Sequence, residues 1–483
     1  MNYRIICNIL GKIMYILALL LIIPIIVAIT YKESDKIIYF LIAISASVFT
    51  GSILLSKKAK TNRLYAREGF VIVALAWIFV SIIGALPFYL SGEIPSFVDA
   101  LFETVSGFTT AGSSILNDIE SMSTSLLFWR SFTHWIGGMG ILTFVMMFLK
   151  NHNGNFMHIM RAETSGPVVT KSVSKIDITA RISYIIYFVL TAAQTFLLIL
   201  AKIPVFDSIT IAMSTAGTGG FCIKNQSIAF YNNPAAEVIC AVFMILFGVS
   251  FGVFFLFCTR NWKLGFKNSE LRVYFAVVII AIAIVAFQIN GIYNNPLDSL
   301  RHALFNVATI ISTTGFVTVD YNIWPSTAIF VLLFLMFLGG CSGSTAGGTK
   351  VFRSLTVFKD LLAKIKHVTN PNSVRPVKIN GKIVEQKVIN VIYIYFVAYA
   401  LIFLVSVFIF TLYNYDLTTS FTAVLTCFNN VGPGVGEVIG PKQNFASIND
   451  VCKLLLTFDM LIGRLEIFPI CILFMPSTWR KVI

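Results

Sequence analysis

Four short segments of this 483-residue chain share a glycine-containing core, rich in hydroxyl side chains in the first three. Ser106-Gly107-Phe108-Thr109-Thr110-Ala111-Gly112 is the first, and Ser214-Thr215-Ala216-Gly217-Thr218-Gly219-Gly220-Phe221 the second. Ile311-Ser312-Thr313-Thr314-Gly315-Phe316 is the third, and Phe428-Asn429-Asn430-Val431-Gly432-Pro433-Gly434 a more divergent fourth. Aligned on Gly112, Gly219, Gly315 and Gly432, they recur after 107, 96 and 117 residues, a near-constant period that signals duplication. These segments carry no ionisable side chain, and the chemistry they offer is mainly that of the main chain. Glycine admits positive φ and leaves a lumen unobstructed, and backbone carbonyls aimed at an axis replace the hydration shell of a cation. A single such glycine is a turn or a helix-packing contact; four in equivalent surroundings point to one ion pore. The candidate cation-filter residues are Thr109, Thr110, Ala111 and Gly112; Ala216, Gly217, Thr218 and Gly219; Ser312, Thr313, Thr314 and Gly315; and Asn429, Asn430, Val431 and Gly432. The extra Gly217 leaves the register of the second copy open by two residues.

The elements that must position these segments follow from composition. Hydrophobic residues make up 57% of the chain and charged residues 12%, about half the ~25% charge of soluble domains. Apolar runs at 13–28, 70–90, 185–200 and 388–410 are long enough to cross a hydrocarbon core of ~30 Å. Lipid excludes open sheets and exposed loops, so the spans are helices. Around each glycine segment the order is the same. A basic loop and a long apolar run come first. Next comes a stretch of about a dozen residues, too short to span, opened by Pro95-Ser96, Asp207-Ser208, Pro296-Leu297-Asp298 or Asp416-Leu417-Thr418. The glycine segment, a polar stretch and a second apolar run complete the unit. The expected fold is an all-α membrane protein with four pseudo-symmetric span–pore-helix–span repeats around one pore, plus an N-terminal two-helix hairpin. The expected boundaries are 1–56 for the hairpin and 68–150, 176–260, 270–365 and 385–483 for the repeats, giving ten spans and four re-entrant half-helices. Each half-helix ends with roughly −0.5 of an elementary charge near mid-membrane, which favours a cation.

The net charge of +14 sits in loops. Lys57, Lys58, Lys60, Arg63 and Arg67 form one group, Lys150, Arg161, Lys171, Lys175 and Arg181 a second, and Arg260, Lys263, Lys267 and Arg272 a third. A fourth extends from Lys350 to Lys387, and Arg4, Lys12, Arg480 and Lys481 lie near the termini, whereas 91–125 is neutral or acidic. The positive-inside rule places the basic loops and the N-terminus in the cytoplasm. Basic loops between spans are what topology requires, so no nucleic-acid partner is expected. The first apolar run lacks a small-residue cleavage site and is expected to be retained. The eight cysteines form no C-x-x-C pair. No H-E-x-x-H, nucleophile-elbow or P-loop motif is present, so the chain is not expected to be an enzyme.

One further segment breaks the pattern. Gly339-Gly340-Cys341-Ser342-Gly343-Ser344-Thr345-Ala346-Gly347-Gly348-Thr349-Lys350 interrupts the apolar run 328–338. Gly339, Gly343 and Gly347 fit a small-xxx-small packing face. Against that, five glycines at about 1 kcal/mol each burden a continuous helix; a break below the filter is expected, and the loop is the gate candidate. Arg464 lies mid-way along the apolar stretch 451–475, where a charge faces a cavity or a partner. Glu466, two residues on, points elsewhere on a helix. Arg464 either bonds the carbonyls of the gate loop or forms an electrostatic barrier, the alternative being a structural ion pair with a Glu466 elsewhere. Arg130 and His134, beside Trp135, are read as interfacial.

In this order the segments resemble the Trk/Ktr/HKT superfamily, most closely bacterial Trk-type membrane subunits. Phe108 to Gly112, Ser312 to Phe316 with Asp320-Tyr321-Asn322-Ile323-Trp324-Pro325, and Asn429 to Glu437 look like its filters. Trp135 to Gly140, residues 162–167, the Gly339 to Lys350 loop and Gly463-Arg464-Leu465-Glu466-Ile467 are further matches. The resemblance implies K⁺ uptake across the plasma membrane (the inner membrane in a Gram-negative source) and a homodimer with one pore per subunit. It also implies a cytosolic nucleotide-binding regulatory subunit of the TrkA type, lipid contact, K⁺ as permeant ligand and no covalent cofactor. In related plant proteins a Ser at the first filter glycine goes with sodium transport, so Gly112 suggests potassium. Ala111 departs from the more usual Thr. Secondary transport of K⁺ coupled to H⁺ or Na⁺ is the alternative.

Overall fold

A computed structural model describes residues 1–56, 65–140, 173–293, 295–371 and 376–479. Lys57, Lys58, Lys60, Arg63, Lys150, Arg161, Lys171, Arg480, Lys481 and the 162–167 segment lie outside the described residues. Long and short apolar runs become long and short helices. Helices α1 (Tyr3–Leu20) and α2 (Ile22–Thr30) form one span, and α3 (Ser34–Leu55) returns beside it. The first repeat is α4 (Ala66–Leu90), α5 (Phe97–Thr109) and α6 (Thr124–Gly138). The second is α7 (Val173–Leu200), α8 (Val205–Gly217), α9 (Pro234–Phe247) and α10 (Phe251–Cys258), followed by the short α11 (Trp262–Phe266). The third is α12 (Ser269–Ile289), α13 (Pro296–Ile311), α14 (Ser326–Leu338) and α15 (Val351–Thr369). A small antiparallel hairpin, Lys378–Ile379 with Lys382–Ile383, leads into the fourth: α16 (Gln386–Leu412), α17 (Leu417–Phe428), α18 (Asp450–Arg464) and α19 (Phe468–Phe474). The protein is therefore an all-α, multi-pass membrane protein of four span–pore-helix–span repeats. Among the described residues six helical stretches are long and apolar enough to cross a membrane unbroken: Tyr3–Thr30, Ser34–Leu55, Ala66–Leu90, Arg181–Leu200, Ser269–Ile289 and Gln386–Leu412.

The half-helices start where capping chemistry dictates. Ser96 accepts from the Asp99 N–H, Asn295 from Leu297 with Pro296 at the first helical position, and Asp416 from Thr419. The second half-helix starts at Val205 behind Pro204, so Asp207 falls in its first turn rather than at its cap.

The second helix of each repeat departs from the expected continuous span. They stop after 15, 14, 13 and 15 residues, ~20 Å of rise against ~30 Å of hydrocarbon. The 339 break was legible; the others were not. At Gly248-Val249-Ser250 the chain bends by 91° between α9 and α10, with the Tyr274 hydroxyl 2.3 Å from where a Cβ on Gly248 would lie. After α18, Glu466 and Ile467 take φ of +56° and +72° before α19 begins.

The N-terminal hairpin braces the first repeat. Glu33, between α2 and α3, accepts from the Thr124 and Ser125 N–H groups at 2.7 and 3.0 Å and so caps α6.

Candidate functional site

All four half-helices end in one way. The residue after the last turn donates to the carbonyl three back: Thr110 to Gly107 (3.2 Å), Thr218 to Thr215 (2.9 Å), Thr313 to Ile310 (3.0 Å) and Asn430 to Cys427 (3.3 Å). The next residue donates five back: Ala111 to Ser106 (2.9 Å), Gly219 to Ser214 (2.9 Å), Thr314 to Thr309 (2.8 Å) and Val431 to Thr426 (2.8 Å). This Schellman-type closure needs a left-handed residue, and Thr110, Thr218, Thr313 and Asn430 supply it at φ of +57°, +56°, +56° and +54°. Threonine is rare in that region, and such strain, about 1–3 kcal/mol per residue, collects at functional sites.

Two residues on, Gly112, Gly220, Gly315 and Gly432 take φ of +76°, +78°, +84° and +102°. The second copy therefore runs Gly217-Thr218-Gly219-Gly220, one residue later than an alignment on Gly219. Ala216 stays inside α8, and Gly220 holds the position of the other three glycines. The dipeptides Gly220-Phe221 and Gly315-Phe316 carried this register in the sequence.

Spatial order follows from what each glycine abuts. A Cβ on Gly112 would lie 2.0 Å from the Gly219 carbonyl oxygen, one on Gly220 2.0 Å from Thr314 O, and one on Gly315 2.2 Å from Val431 O. A Cβ on Gly432 would lie 3.0 Å from Ala111 O, which closes the circle. The carbonyls of Ala111, Gly219, Thr314 and Val431 thus form one ring within a single chain, at the C-terminal ends of four half-helix dipoles.

The side chains mostly brace this backbone. Thr109 bonds back to Val105 O (2.6 Å), Thr218 to Gly217 O (2.6 Å) and Ser312 to Ala308 O (2.6 Å). Asn429 donates to the Tyr399 hydroxyl (2.9 Å), and Asn430 to Met460 O (3.2 Å).

Residues 339–350 form no helix between α14 and α15. The loop lies against the inner ends of two half-helices: Gly347 N–H donates to Thr313 Oγ1 at 2.6 Å and Gly348 N–H to Asn429 O at 3.1 Å. A Cβ on Gly347 would lie 2.2 Å from that Asn429 oxygen, so glycine permits the approach. Cys341 N–H donates to Gly248 O (2.9 Å) and Thr345 Oγ1 to Phe247 O (3.2 Å), which ties the loop to the bend after α9. Lys350 Nζ donates to Ala346 O. Arg464 spans the assembly, donating to Thr345 O at 2.8 Å and to Gly137 O and Gly138 O at 2.6 and 2.7 Å. Glu466 pairs with Arg353, whose guanidinium lies 4.1 Å over the Tyr395 ring.

A family model described as a cation transport protein, TrkH, matches residues 33–481. The chain belongs to this TrkH family. It is 34% identical over 491 residues to the Trk system potassium uptake protein TrkH of Salmonella typhimurium, each covered in full, and 31% identical to Trk system potassium uptake protein TrkG of Escherichia coli. The crystal structure of the potassium transporter TrkH from Vibrio parahaemolyticus superimposes with a TM-score of 0.88 at 30% identity, covering 99% of this chain and 100% of that one.

Two residues of this TrkH-family chain lie elsewhere than their sequence context suggested. Arg130 and His134 are buried behind the first two glycine segments rather than interfacial. Arg130 pairs with buried Glu103 at 2.7 Å, donates to Cys222 O at 3.1 Å and covers the Phe221 ring at 4.1 Å. Glu103 also accepts from the Ile115 N–H at 3.0 Å. His134 Nε2 accepts from Phe221 N–H at 3.1 Å, so Nδ1 carries the proton given to Gly107 O at 2.6 Å. The available signal was spacing: Arg130 and His134 share a helix face at i, i+4.

Proposed function

We propose that the chain takes up K⁺ across the plasma membrane through a gated, carbonyl-lined filter. The observation that carries this reading is the closed ring of Ala111, Gly219, Thr314 and Val431 carbonyls held by four equivalent helix ends. Oxygen dipoles on a rigid ring match a cation that sheds its water, without an acidic side chain. Its relatives, named as Trk system potassium uptake proteins, support K⁺ as the cargo. The inside-negative potential drives entry at about 2.3 kcal/mol per charge per 100 mV.

The filter comprises Thr109 to Gly112, Gly217 to Gly220, Ser312 to Gly315 and Asn429 to Gly432. The loop from Gly339 to Lys350 is the gate, held beneath the ring by Arg464. The complete ring in one chain supports one pore per subunit of a homodimer. The Trk-system relatives support a partner protein, read here as a cytosolic nucleotide-binding subunit acting on the basic face, where the N-terminus also lies. Proteoliposomes with an inside-negative potential test the proposal: K⁺ or Rb⁺ uptake should exceed Na⁺ uptake and should not change with an imposed pH gradient. Uptake that requires a H⁺ or Na⁺ gradient would replace it with coupled transport.

A further inference from the structure

Glu270, at the second position of α12, is almost fully buried. Its Oε1 accepts from two backbone N–H groups of the interrupted third repeat, Ser342 at 2.5 Å and Phe352 at 3.1 Å. These donors lie ten residues apart and bracket most of the non-helical loop. Hydrogen bonds to a carboxylate are roughly twice as strong as neutral ones, so one side chain staples both ends of the loop to another helix.

The 378–383 hairpin touches both sides of that staple. The Ser269 N–H donates to Asn380 Oδ1 at 2.6 Å, and Asn380 N–H donates to Ser269 Oγ at 3.3 Å, beside Glu270 in the chain. Ile379 packs in one apolar cluster with Phe352, the second donor. Lys359 Nζ holds the Lys378 carbonyl at 2.9 Å. Asn380 and Gly381 form the hairpin turn at φ of +54° and +75°, and Ile383 is largely exposed.

We infer that Glu270 is the latch that holds the 339–350 loop against the filter, and that the 378–383 hairpin is the lever through which the basic face moves it. The inference rests on the gate reading of that loop. Phe352 is in the first turn of α15, where backbone N–H groups have no helical partner and donate readily to water. Without the carboxylate, both donors are hydrated more easily with the loop displaced, so loss of Glu270 shifts the population towards an open pathway rather than unfolding the chain.

The test uses the purified full chain in planar bilayers without any partner. Glu270→Ala should raise open probability by roughly tenfold or more, the effect of losing a hydrogen bond to a charged group. Glu270→Gln, which keeps an acceptor oxygen, should give a smaller rise, and Asn380→Ala a rise in the same direction. Alkylation of buried Cys341, mapped by peptide mass spectrometry, should quicken in Glu270→Ala. A monodisperse Glu270→Ala protein with unchanged open probability and Cys341 labelling overturns the latch; if that variant does not fold, unchanged gating in Glu270→Gln does so. Deletion of 340–348 separates the two readings. A rise there without one in Glu270→Ala rejects the latch alone, and no rise in either rejects the gate as well.

Discussion

Gly220→Ala is the sharpest perturbation of the carbonyl ring, because it places one methyl group against one oxygen. The added Cβ would lie 2.0 Å from Thr314 O and 3.0 Å from the Thr314 carbonyl carbon, both closer than the ~3.5–4.0 Å of an ordinary carbon contact. The Thr314 carbonyl must swing away from the axis. A polar contact to a charged group is worth about 1.5–3 kcal/mol; if half of that distinguishes K⁺ from Na⁺, the permeability ratio falls roughly three- to tenfold. Gly92→Ala is the matched control: Gly92 has φ of +76° against +78° at Gly220, but a Cβ there meets nothing within 4 Å. It should cost about 1–2 kcal/mol of stability from the left-handed backbone alone and leave selectivity intact. The assay is the bi-ionic permeability ratio in bilayers, with thermal unfolding of the detergent-solubilised protein in parallel. A Gly220→Ala channel with the parental ratio would refute the ring, and equal losses in Gly220→Ala and Gly92→Ala would mean that strain, not the carbonyl, sets selectivity.

Deleting 340–348 should raise basal conductance in bilayers, and a folded, monodisperse protein that conducts no better removes the gate assignment. Arg464→Lys keeps the charge but cannot span Thr345, Gly137 and Gly138 with one ammonium; basal Rb⁺ flux should rise several-fold, the loss of one charged hydrogen bond being about 1.5–3 kcal/mol. Glu103→Gln leaves buried Arg130 without its carboxylate and should destabilise the protein by about 3–5 kcal/mol, seen as an earlier transition in fluorescence-detected thermal unfolding. Gly463→Ala sets a Cβ 1.9 Å from Phe428 O and should cost about 1–3 kcal/mol by overpacking, read by the same assay.

The repeat was legible because its signals are local: run length, Pro or Asp at a half-helix start, and glycine where φ must be positive. The loop at Gly339 was legible for the same reason, since five glycines cannot hide in a helix. The bend at Gly248-Val249-Ser250 carries one glycine and apolar flanks, and the Tyr274 hydroxyl that packs against Gly248 and donates to Ile245 O is a tertiary contact invisible in the local pattern. The register of the second glycine segment is harder to read because Gly217, Gly219 and Gly220 offer three alignments; the shared Gly-Phe dipeptide hints at the right one, and the repeated hydrogen bonds to the carbonyl five back fix it. Arg130 suffered from a similar limit. Its partner Glu103 lies on another helix, so a buried ion pair resembled a membrane-edge charge beside Trp135.

The claim that the four glycine segments form one K⁺-selective pathway is tested most directly by the reversal potential of the 340–348 deletion with K⁺ on one side of a bilayer and Na⁺ on the other. A value displaced strongly towards the K⁺ equilibrium potential, and unmoved by a pH gradient, is the expected result. A reversal potential near zero, or one that follows the pH gradient, would contradict a carbonyl-lined potassium filter.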